Sequence, residues 1–154
     1  DVEIKQEYFD LKEYITDTVN DFSLLSKQHG RILKYQDQTK TEKLYSDKDL
    51  LSKILENIFD NALRFSDNEI YFSVTEKNSD VCFTIYDDGK GFSEEELKRA
   101  ASLFYSSSAN KGNFGIGLSI CKILCERLGC ILSLENTANY GASITVQVKK
   151  YELF

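Results

Sequence analysis

Apolar residues recur along the chain with two different periods. Within residues 8–29, 50–63 and 116–128 they return every three or four positions, the spacing of an amphipathic helix. The motif Ser46-x-x-Asp49 precedes the second of these segments, and Ser93-x-x-Glu96 stands before a further short helical pattern. Both motifs match the capping box that begins many helices. The chain is therefore predicted to contain three long helices and a short one.

Other segments alternate between apolar and polar residues. Residues 69–86 do so on both sides of Asn78-Ser79-Asp80, which predicts a β-hairpin. Further strands are predicted at 32–35, near Leu44-Tyr45, at 131–135 and at 142–148. Helices interleaved with hairpins, without regular β-α-β alternation, favour an α+β sandwich over a doubly wound sheet.

Length, composition and charge restrict the class of protein. The chain has 154 residues, 42% of them hydrophobic, and a formal charge of −6. These values suit a single globular domain and disfavour both disorder and nucleic-acid binding. No apolar run approaches the roughly 18 residues needed to cross a bilayer. Because the chain begins at Asp1 and contains no Met, we expect it to be a fragment of a longer protein.

Four cysteines raise the question of a metal site. Cys82 lies in a predicted strand, whereas Cys121, Cys125 and Cys130 lie in and after the last helix. The chain has no C-x-x-C motif, and its one histidine, His29, is remote from them in sequence. Zinc sites usually need closely spaced pairs of ligands, so we expect reduced cysteines that pack as small apolar residues.

A polar stripe runs along the second helix. Asn57, Asn61 and Arg64 are spaced at i, i+4 and i+7, which places them on one helical face. An amide oxygen is a suitable ligand for Mg²⁺, and an arginine can contact phosphate. A solvated helix face has the same pattern, so the stripe alone does not decide between the two interpretations.

The segment Asp87-Asp88-Gly89-Lys90-Gly91 follows directly after a predicted strand. A carboxylate at a strand end, followed by glycines, can point into a pocket that allows close approach of a ligand. It could accept a hydrogen bond from an exocyclic amine such as that of adenine. An ordinary Asp-Gly turn is the alternative, and the ligand spacing of an EF-hand is absent.

A third glycine-rich segment, 112–118, leads into the last helix. Glycines before a helix N-terminus allow backbone N–H groups to face a phosphate. The segment matches neither the dinucleotide fingerprint nor the P-loop. Residues 104–114 are rich in Ser, Asn and Gly, and they are predicted to form a loop that could close over a ligand.

The order of these motifs resembles that of a known family. NIFDNALRF (57–65), YDDGKGF (86–92) and GNFGIGLSICK (112–122) resemble the N, G1 and G2 boxes of sensor histidine kinases. YGASITVQV (140–148) resembles the closing strand of that family. The chain resembles the catalytic and ATP-binding domain of these kinases, which belong to the GHKL ATPase superfamily. The resemblance implies one domain over 1–154. Its expected fold is a two-layer α/β sandwich, with a mixed, mostly antiparallel sheet on about three helices and an ATP lid.

The resemblance also implies roles for individual residues. Asn61 would bind Mg²⁺ on the ATP phosphates, with Asn57 beside it and Arg64 near the phosphates. Phe65 would pack by the nucleotide, and Asp87 would accept the adenine amino group. The other implied nucleotide contacts are Gly89, Gly91, Phe92, Lys111, Gly115, Ile116, Gly117 and Leu118. The chain departs from the family at Leu103-Phe104-Tyr105, a partial F box, and at Asn113-Phe114, where Gly and Thr are commoner.

Asn57 favours a kinase over a hydrolase. The gyrase-type and chaperone ATPases of the superfamily carry a glutamate general base at this position, and an amide cannot take a proton at neutral pH. The implied function is binding of Mg-ATP and transfer of its γ-phosphoryl group to a histidine on a separate dimerisation domain. Two alternatives stay open: a degenerate interaction module without ATP binding, and an ATP-gated clamp.

The resemblance implies a set of partners as well. A response regulator would act downstream, and neither nucleic acid nor direct membrane contact is expected. The fragment is expected to be a monomer and to be the cytoplasmic domain of a membrane-bound sensor. His29 lacks the carboxylate that normally follows a phosphoacceptor histidine, so we do not expect this residue to be phosphorylated.

Overall fold

The computed structural model describes residues 3–101, 113–138 and 141–150. In these ranges the helices are α1 (Leu11–Gln28), α2 (Lys48–Phe65), α3 (Glu94–Ala101) and α4 (Asn113–Leu128). The strands are β1 (Glu7–Asp10), β2 (Ile32–Asp37), β3 (Lys43–Ser46), β4 (Glu69–Lys77), β5 (Asp80–Asp87), β6 (Cys130–Asn136) and β7 (Ala142–Val148). No helix within the described ranges is both long and apolar enough to cross a membrane.

Five strands form one sheet in the order β2-β4-β5-β7-β6. β2 pairs in parallel with β4, and the other three pairs are antiparallel. Buried residues alternate along β4, along β5 from Phe83 and along β7 from Ile144, because one face of the sheet packs against the helices. The predicted α+β sandwich with a mixed, mostly antiparallel sheet is confirmed.

Aromatic side chains join the two layers. The rings of Phe22 in α1 and Phe59 in α2 stack with their centroids 4.0 Å apart. Phe72 of β4 meets Phe22 edge-on at 5.6 Å. All three rings are almost completely buried, so they fix both helices against the centre of the sheet.

The β4–β5 hairpin agrees with its prediction. Asn78 and Ser79 both have positive φ, 53° and 74°, which matches the right-handed twist of the strands that they connect. Each strand then places its apolar residues on the helical side of the sheet. β5 ends at Asp87, so the Asp-Asp-Gly motif lies at one end of the sheet.

The N-terminal predictions need correction. Residues 8–10 belong to β1 and not to the first helix, because the Asp10 side chain accepts the backbone N–H of Glu13 at 2.9 Å and begins α1 at Leu11. The strand near Leu44 does not join the main sheet, because β3 pairs antiparallel with β1. These two strands form a separate two-stranded sheet.

The first predicted capping box is also wrong. Ser46 lies in β3, and the cap of α2 is Asp47, whose side chain accepts the backbone N–H of Leu50 at 3.0 Å. The same carboxylate accepts the N–H of Lys5 at 2.8 Å, which ties the N-terminal segment to α2. The second box is confirmed: Ser93 N–H donates to Glu96 Oε1 at 2.8 Å, and Glu96 N–H donates to Ser93 Oγ at 3.0 Å.

α4 begins earlier than predicted. It starts at Asn113, so Asn113 and Phe114 are helical rather than part of a loop. The rest of the predicted loop lies outside the described residues. α4 ends before Gly129, whose φ of +79° is typical of a residue that follows a helix. The cysteines carry free thiols, and burial raises the pKa of Cys121 and of Cys125 to about 12.

Candidate nucleotide site

The second half of α2 carries the polar stripe. Asn61 is 8% exposed, although it is polar, and Asn57 is half-buried one turn earlier. Arg64 is exposed in the last turn of the helix. Phe65, four residues after Asn61, leaves 36% of its surface exposed. An amide buried beside the apolar face of an amphipathic helix indicates a site rather than a solvated face.

Arg31 holds the end of α2. Its guanidinium donates to Ser66 Oγ at 2.8 Å, to the Ser66 carbonyl at 3.1 Å and to the Leu63 carbonyl at 3.5 Å. The last carbonyl groups of a helix have no partner within the helix. Arg31 supplies such a partner and adds a positive charge at the negative end of the helix dipole. The position of Phe65 is therefore tied to the start of β2.

Asp88 binds the segment that connects α2 to β4. Its carboxylate accepts the backbone N–H groups of Asp67, Asn68 and Glu69 at 2.8 to 3.1 Å. Desolvation raises the pKa of this carboxyl, but the three N–H donors outweigh it and hold the pKa below its ordinary value. Asp88 is therefore a structural anchor between the end of α2 and the end of β5.

Asp87 is in the opposite situation. It is 2% exposed, and its Oδ1 accepts the N–H of Gly89 at 2.8 Å. Burial raises the pKa of Asp87 to about 6, and the negative charge of Asp88 adds to this, against the N–H groups of Gly89 and Ala142. The carboxylate is a strong hydrogen-bond acceptor in a poorly solvated place.

Two glycines leave room for this carboxylate. A Cβ at Gly141 would lie 2.6 Å from Asp87 Oδ1, and a Cβ at Gly89 would lie 2.0 Å from the carbonyl oxygen of Phe65. Any larger residue would force the backbone apart at either position. Gly141 N–H also donates to the Asp87 carbonyl at 2.7 Å. The Asp87 carboxylate thus lies in a cradle that only glycine fits.

A pocket of about 100 Å³ lies between α2 and the glycine-rich turn. Its lining residues are Asn61, Phe65, Lys90, Gly91, Phe92, Glu96 and Ala142. This volume is below the roughly 300–1,000 Å³ of a typical ligand pocket. The segment 102–112, between α3 and α4 in the chain, lies outside the described residues.

The structure brings together several of the residues predicted for the site. Asn61, Phe65, Gly91 and Phe92 line one pocket, and Gly89 contacts the end of α2. Asn57, Arg64 and Asp87 are not among the described residues that line it.

The G2 segment gives a different result. Gly115, Ile116 and Gly117 fall in the first two turns of α4, not before it, because the helix already begins at Asn113. Leu118 is 1% exposed and belongs to the apolar core. Lys111 lies outside the described residues. His29 ends α1, where its Nδ1 lies 2.9 Å from the Leu25 carbonyl oxygen.

Sequence reasoning missed several residues of the site. Lys90 and Glu96 lie within motifs that were recognised for other reasons, a glycine-rich turn and a capping box. Ala142 and Gly141 belong to the last hairpin, whose periodicity and likeness to the closing strand of the family predict a strand but no contact with the site. Arg31 had no local signal, because its partners are about 35 residues away in the chain.

The chain matches the family described as histidine kinase-, DNA gyrase B-, and HSP90-like ATPase over residues 46–152. This match covers more than half of the chain. It includes α2, the Asp-Asp-Gly motif, α4 and the last hairpin, which are the elements that build the pocket and its surroundings.

Two curated relatives are sensor proteins. The sensor protein CiaH of Streptococcus pneumoniae is 23% identical over 141 residues, which is 88% of this chain and 32% of CiaH. The sensor protein KdpD of Clostridium acetobutylicum is 29% identical over 153 residues, 96% of this chain and 17% of KdpD. The chain therefore spans about a third or less of the length of these relatives.

A solved structure shares the whole fold. The catalytic domain of histidine kinase ThkA superposes with a TM-score of 0.76 at 21% identity, covering 97% of this chain and 98% of that domain. The shared fold and the family match together confirm the predicted resemblance. The chain belongs to the histidine kinase-, DNA gyrase B- and HSP90-like ATPase family.

Proposed function

We propose that this chain is the catalytic and ATP-binding domain of a sensor histidine kinase. The observation that carries the proposal is the buried Asp87 carboxylate in its glycine cradle, next to a pocket lined by the buried amide of Asn61. A buried acceptor beside an open pocket suits an exocyclic amine, and adenine carries one. An amide oxygen on the other wall suits a metal on the phosphates.

The residues fit Mg²⁺ bound together with a nucleotide. Mg²⁺ usually takes only one or two protein ligands and completes its shell with water and phosphate oxygens. Asn61 would hold it, since its amide lines the pocket and is largely desolvated. Bound Mg²⁺ would neutralise the charge that develops on the phosphates during transfer. Asn57 and Arg64, on the same helical face, would contact the phosphate side.

Asn57 supports transfer to a protein side chain over hydrolysis. An amide cannot act as a general base for water, whereas the imidazole of a histidine is already a nucleophile. The imidazole nitrogen would form the bond to the γ-phosphorus, and ADP would leave. The domain that carries this histidine would receive the released proton. The chain's own contribution is to bind and orient the nucleotide.

The remaining predicted contacts extend the same site. Phe65, Gly91 and Phe92 would flank the base and sugar. Gly89 would allow the glycine-rich turn to lie close to the end of α2. Lys111, Gly115, Ile116 and Gly117 are proposed for the lid side, whereas Leu118 belongs to the core. The proposed partners are a dimerisation domain with the phosphoacceptor histidine and a response regulator downstream. We further propose that the site lies in the cytoplasmic part of a longer sensor.

Calorimetric titration with ATP, with and without Mg²⁺, tests the proposal. Saturable binding should strengthen when Mg²⁺ is present. Asn61→Ala should remove most of this Mg²⁺ effect, and Asn20→Ala, on the exposed side of α1, should leave it unchanged. Absence of any nucleotide binding would instead indicate a degenerate interaction module.

Three further measurements test the remaining alternatives. Steady-state ATP hydrolysis should be slow, and rapid turnover that Asn61→Ala abolishes would contradict the kinase assignment. Dimerisation of the chain on addition of ATP, measured by light scattering, would favour an ATP-gated clamp. Mass spectrometry after incubation with Mg-ATP should find no phosphate on His29.

A further inference from the structure

Asn136, the last residue of β6, pairs with the backbone of Phe92. Its Oδ1 accepts the Phe92 N–H at 2.8 Å, and its Nδ2 donates to the Phe92 carbonyl at 2.8 Å. Both polar groups of one residue are thus bound by a single side-chain amide. The two residues are 44 positions apart, so this pairing joins the last hairpin to the glycine-rich turn.

Gly91 is shaped around the same side chain. Its φ is +80°, and a Cβ at this position would lie 2.7 Å from Asn136 Oδ1. The amide of Asn136 therefore lies directly against the Cα of Gly91. Gly91 and Phe92 both line the pocket, so Asn136 supports that wall from outside.

The same hairpin also contacts the carboxylate side of the site. Asn136 is paired in register with Ala142, which lines the pocket. Thr137 N–H donates to the Gly141 carbonyl at 3.1 Å, and Gly141 N–H donates to the Asp87 carbonyl at 2.7 Å. The end of β6 and the start of β7 thus hold both the Asp87 side and the Phe92 side of the glycine-rich turn.

We propose that Asn136 is a positioning residue for the adenosine part of the ligand. Its side chain holds the backbone of Gly91 and Phe92, and so fixes this wall of the pocket relative to Asp87. This inference rests on the proposed function, binding of an adenine nucleotide. Asn136 itself does not line the pocket within the described part of the chain. Substitution of Asn136 should weaken the binding of adenosine and of Mg-ATP by the same factor, because the residues proposed to contact the phosphates lie on α2.

The experiment compares Asn136→Ala and Asn136→Asp with the wild-type chain. Asn20→Ala and Asn20→Asp on α1 make the same chemical changes at an exposed position. The Kd of adenosine and of Mg-ATP is measured between pH 5 and 8, and the unfolding midpoint shows that each variant is folded. Asn136→Ala removes two hydrogen bonds, so the Kd of both ligands should rise roughly ten-fold.

The aspartate variant distinguishes positioning from a merely structural effect. Its carboxylate keeps the acceptor for Phe92 N–H, but its second oxygen faces the Phe92 carbonyl without a proton to donate. Protonation restores that donor. The ratio of its Kd to the wild-type Kd should therefore fall toward one as the pH decreases, while the ratio for Asn136→Ala stays constant. The added carboxylate also repels the charge of Asp87 and raises the pKa of Asp87, so this pKa is measured by NMR in each protein and its effect on Kd is subtracted before the ratios are compared.

The outcomes separate this inference from the proposed function. A wild-type chain that binds neither adenosine nor Mg-ATP contradicts the proposed function, and the inference with it. If the wild-type chain binds but folded Asn136 variants bind equally well, only the positioning role is wrong. A loss confined to Mg-ATP, or an Asn136→Asp ratio that does not change with pH, also contradicts it.

Discussion

Asp87 and Asp88 are adjacent in the chain, yet their carboxylates lie in opposite environments. Asp87 is 2% exposed, and burial raises its pKa to about 6. Asp88 accepts three backbone N–H groups, and its pKa lies below the ordinary value despite some desolvation. At the end of a strand consecutive side chains point in opposite directions, so one carboxylate is buried beside Gly89 and Gly141 and the other holds the backbone.

The first prediction concerns stability and pH. Because the pKa of Asp87 is raised, the folded protein keeps a proton that the unfolded chain releases from about pH 4 upward. This contribution to stability is complete below pH 4 and is lost as the pH rises through about 6. Asp87→Asn should therefore gain stability relative to wild type between pH 4 and 7, by about 3 kcal/mol. Urea denaturation at each pH measures this difference, and a constant difference would contradict the shifted pKa.

The second prediction concerns ligand affinity and pH. A protonated carboxyl loses acceptor capacity, so adenosine should bind about ten-fold more weakly at pH 5 than at pH 7. Adenosine is the appropriate probe because it has no phosphates that titrate in this range. In Asp87→Asn the affinity should be low and independent of pH. Equal affinity of the wild-type chain at both pH values would exclude Asp87 as the acceptor.

The third prediction concerns Asp88. Asp88→Ala leaves the N–H groups of Asp67, Asn68 and Glu69 without their acceptor. We expect a loss of about 2 kcal/mol in the free energy of unfolding at pH 7. Because the pKa of Asp88 is lowered, its contribution is present above about pH 4 and declines as the pH falls further. Asp21→Ala, on an exposed position of α1, is the matched control and should have little effect.

The fourth prediction compares two glycines. A Cβ at Gly89 would lie 2.0 Å from the Phe65 carbonyl oxygen, whereas one at Gly30 meets nothing within 4 Å. Gly30→Ala should cost only about 1 kcal/mol, because of its φ of +68°. Gly89→Ala should destabilise the chain by about 3 kcal/mol and reduce ATP binding. Thermal unfolding together with calorimetry measures both effects, and equal costs at the two positions would contradict the close contact.

Much of the fold follows from local patterns that the sequence displays. The period of apolar residues located α1, α2, α4 and the β4–β5 hairpin, because each of these elements buries one continuous face. The pairing of β3 with β1 could not be predicted in this way. Its residues lie about 35 positions apart in the chain, and four-residue strands have too few side chains to show which partner they face.

Part of the candidate site could also be predicted from local sequence patterns. Asn61 and Asp87 stand out because polar residues interrupt apolar elements, and glycines beside a carboxylate suggest close approach. Leu118 illustrates the opposite case, since its place in a glycine-rich motif suggested a ligand contact, but the structure places its side chain in the core. A motif indicates which segment lies near a ligand. The position of each residue around the helix decides which of its side chains point into the core.

The sequence by itself determined the periodic elements, the family and the residues with distinctive chemistry, because these depend on neighbours along the chain. Tertiary structure alone decided which distant groups support them: Arg31 at the end of α2, Gly141 against Asp87, and Asn136 on the backbone of Phe92. Such contacts join segments tens of residues apart. They involve backbone atoms, which every residue has, so the sequence carries no pattern that marks them in advance.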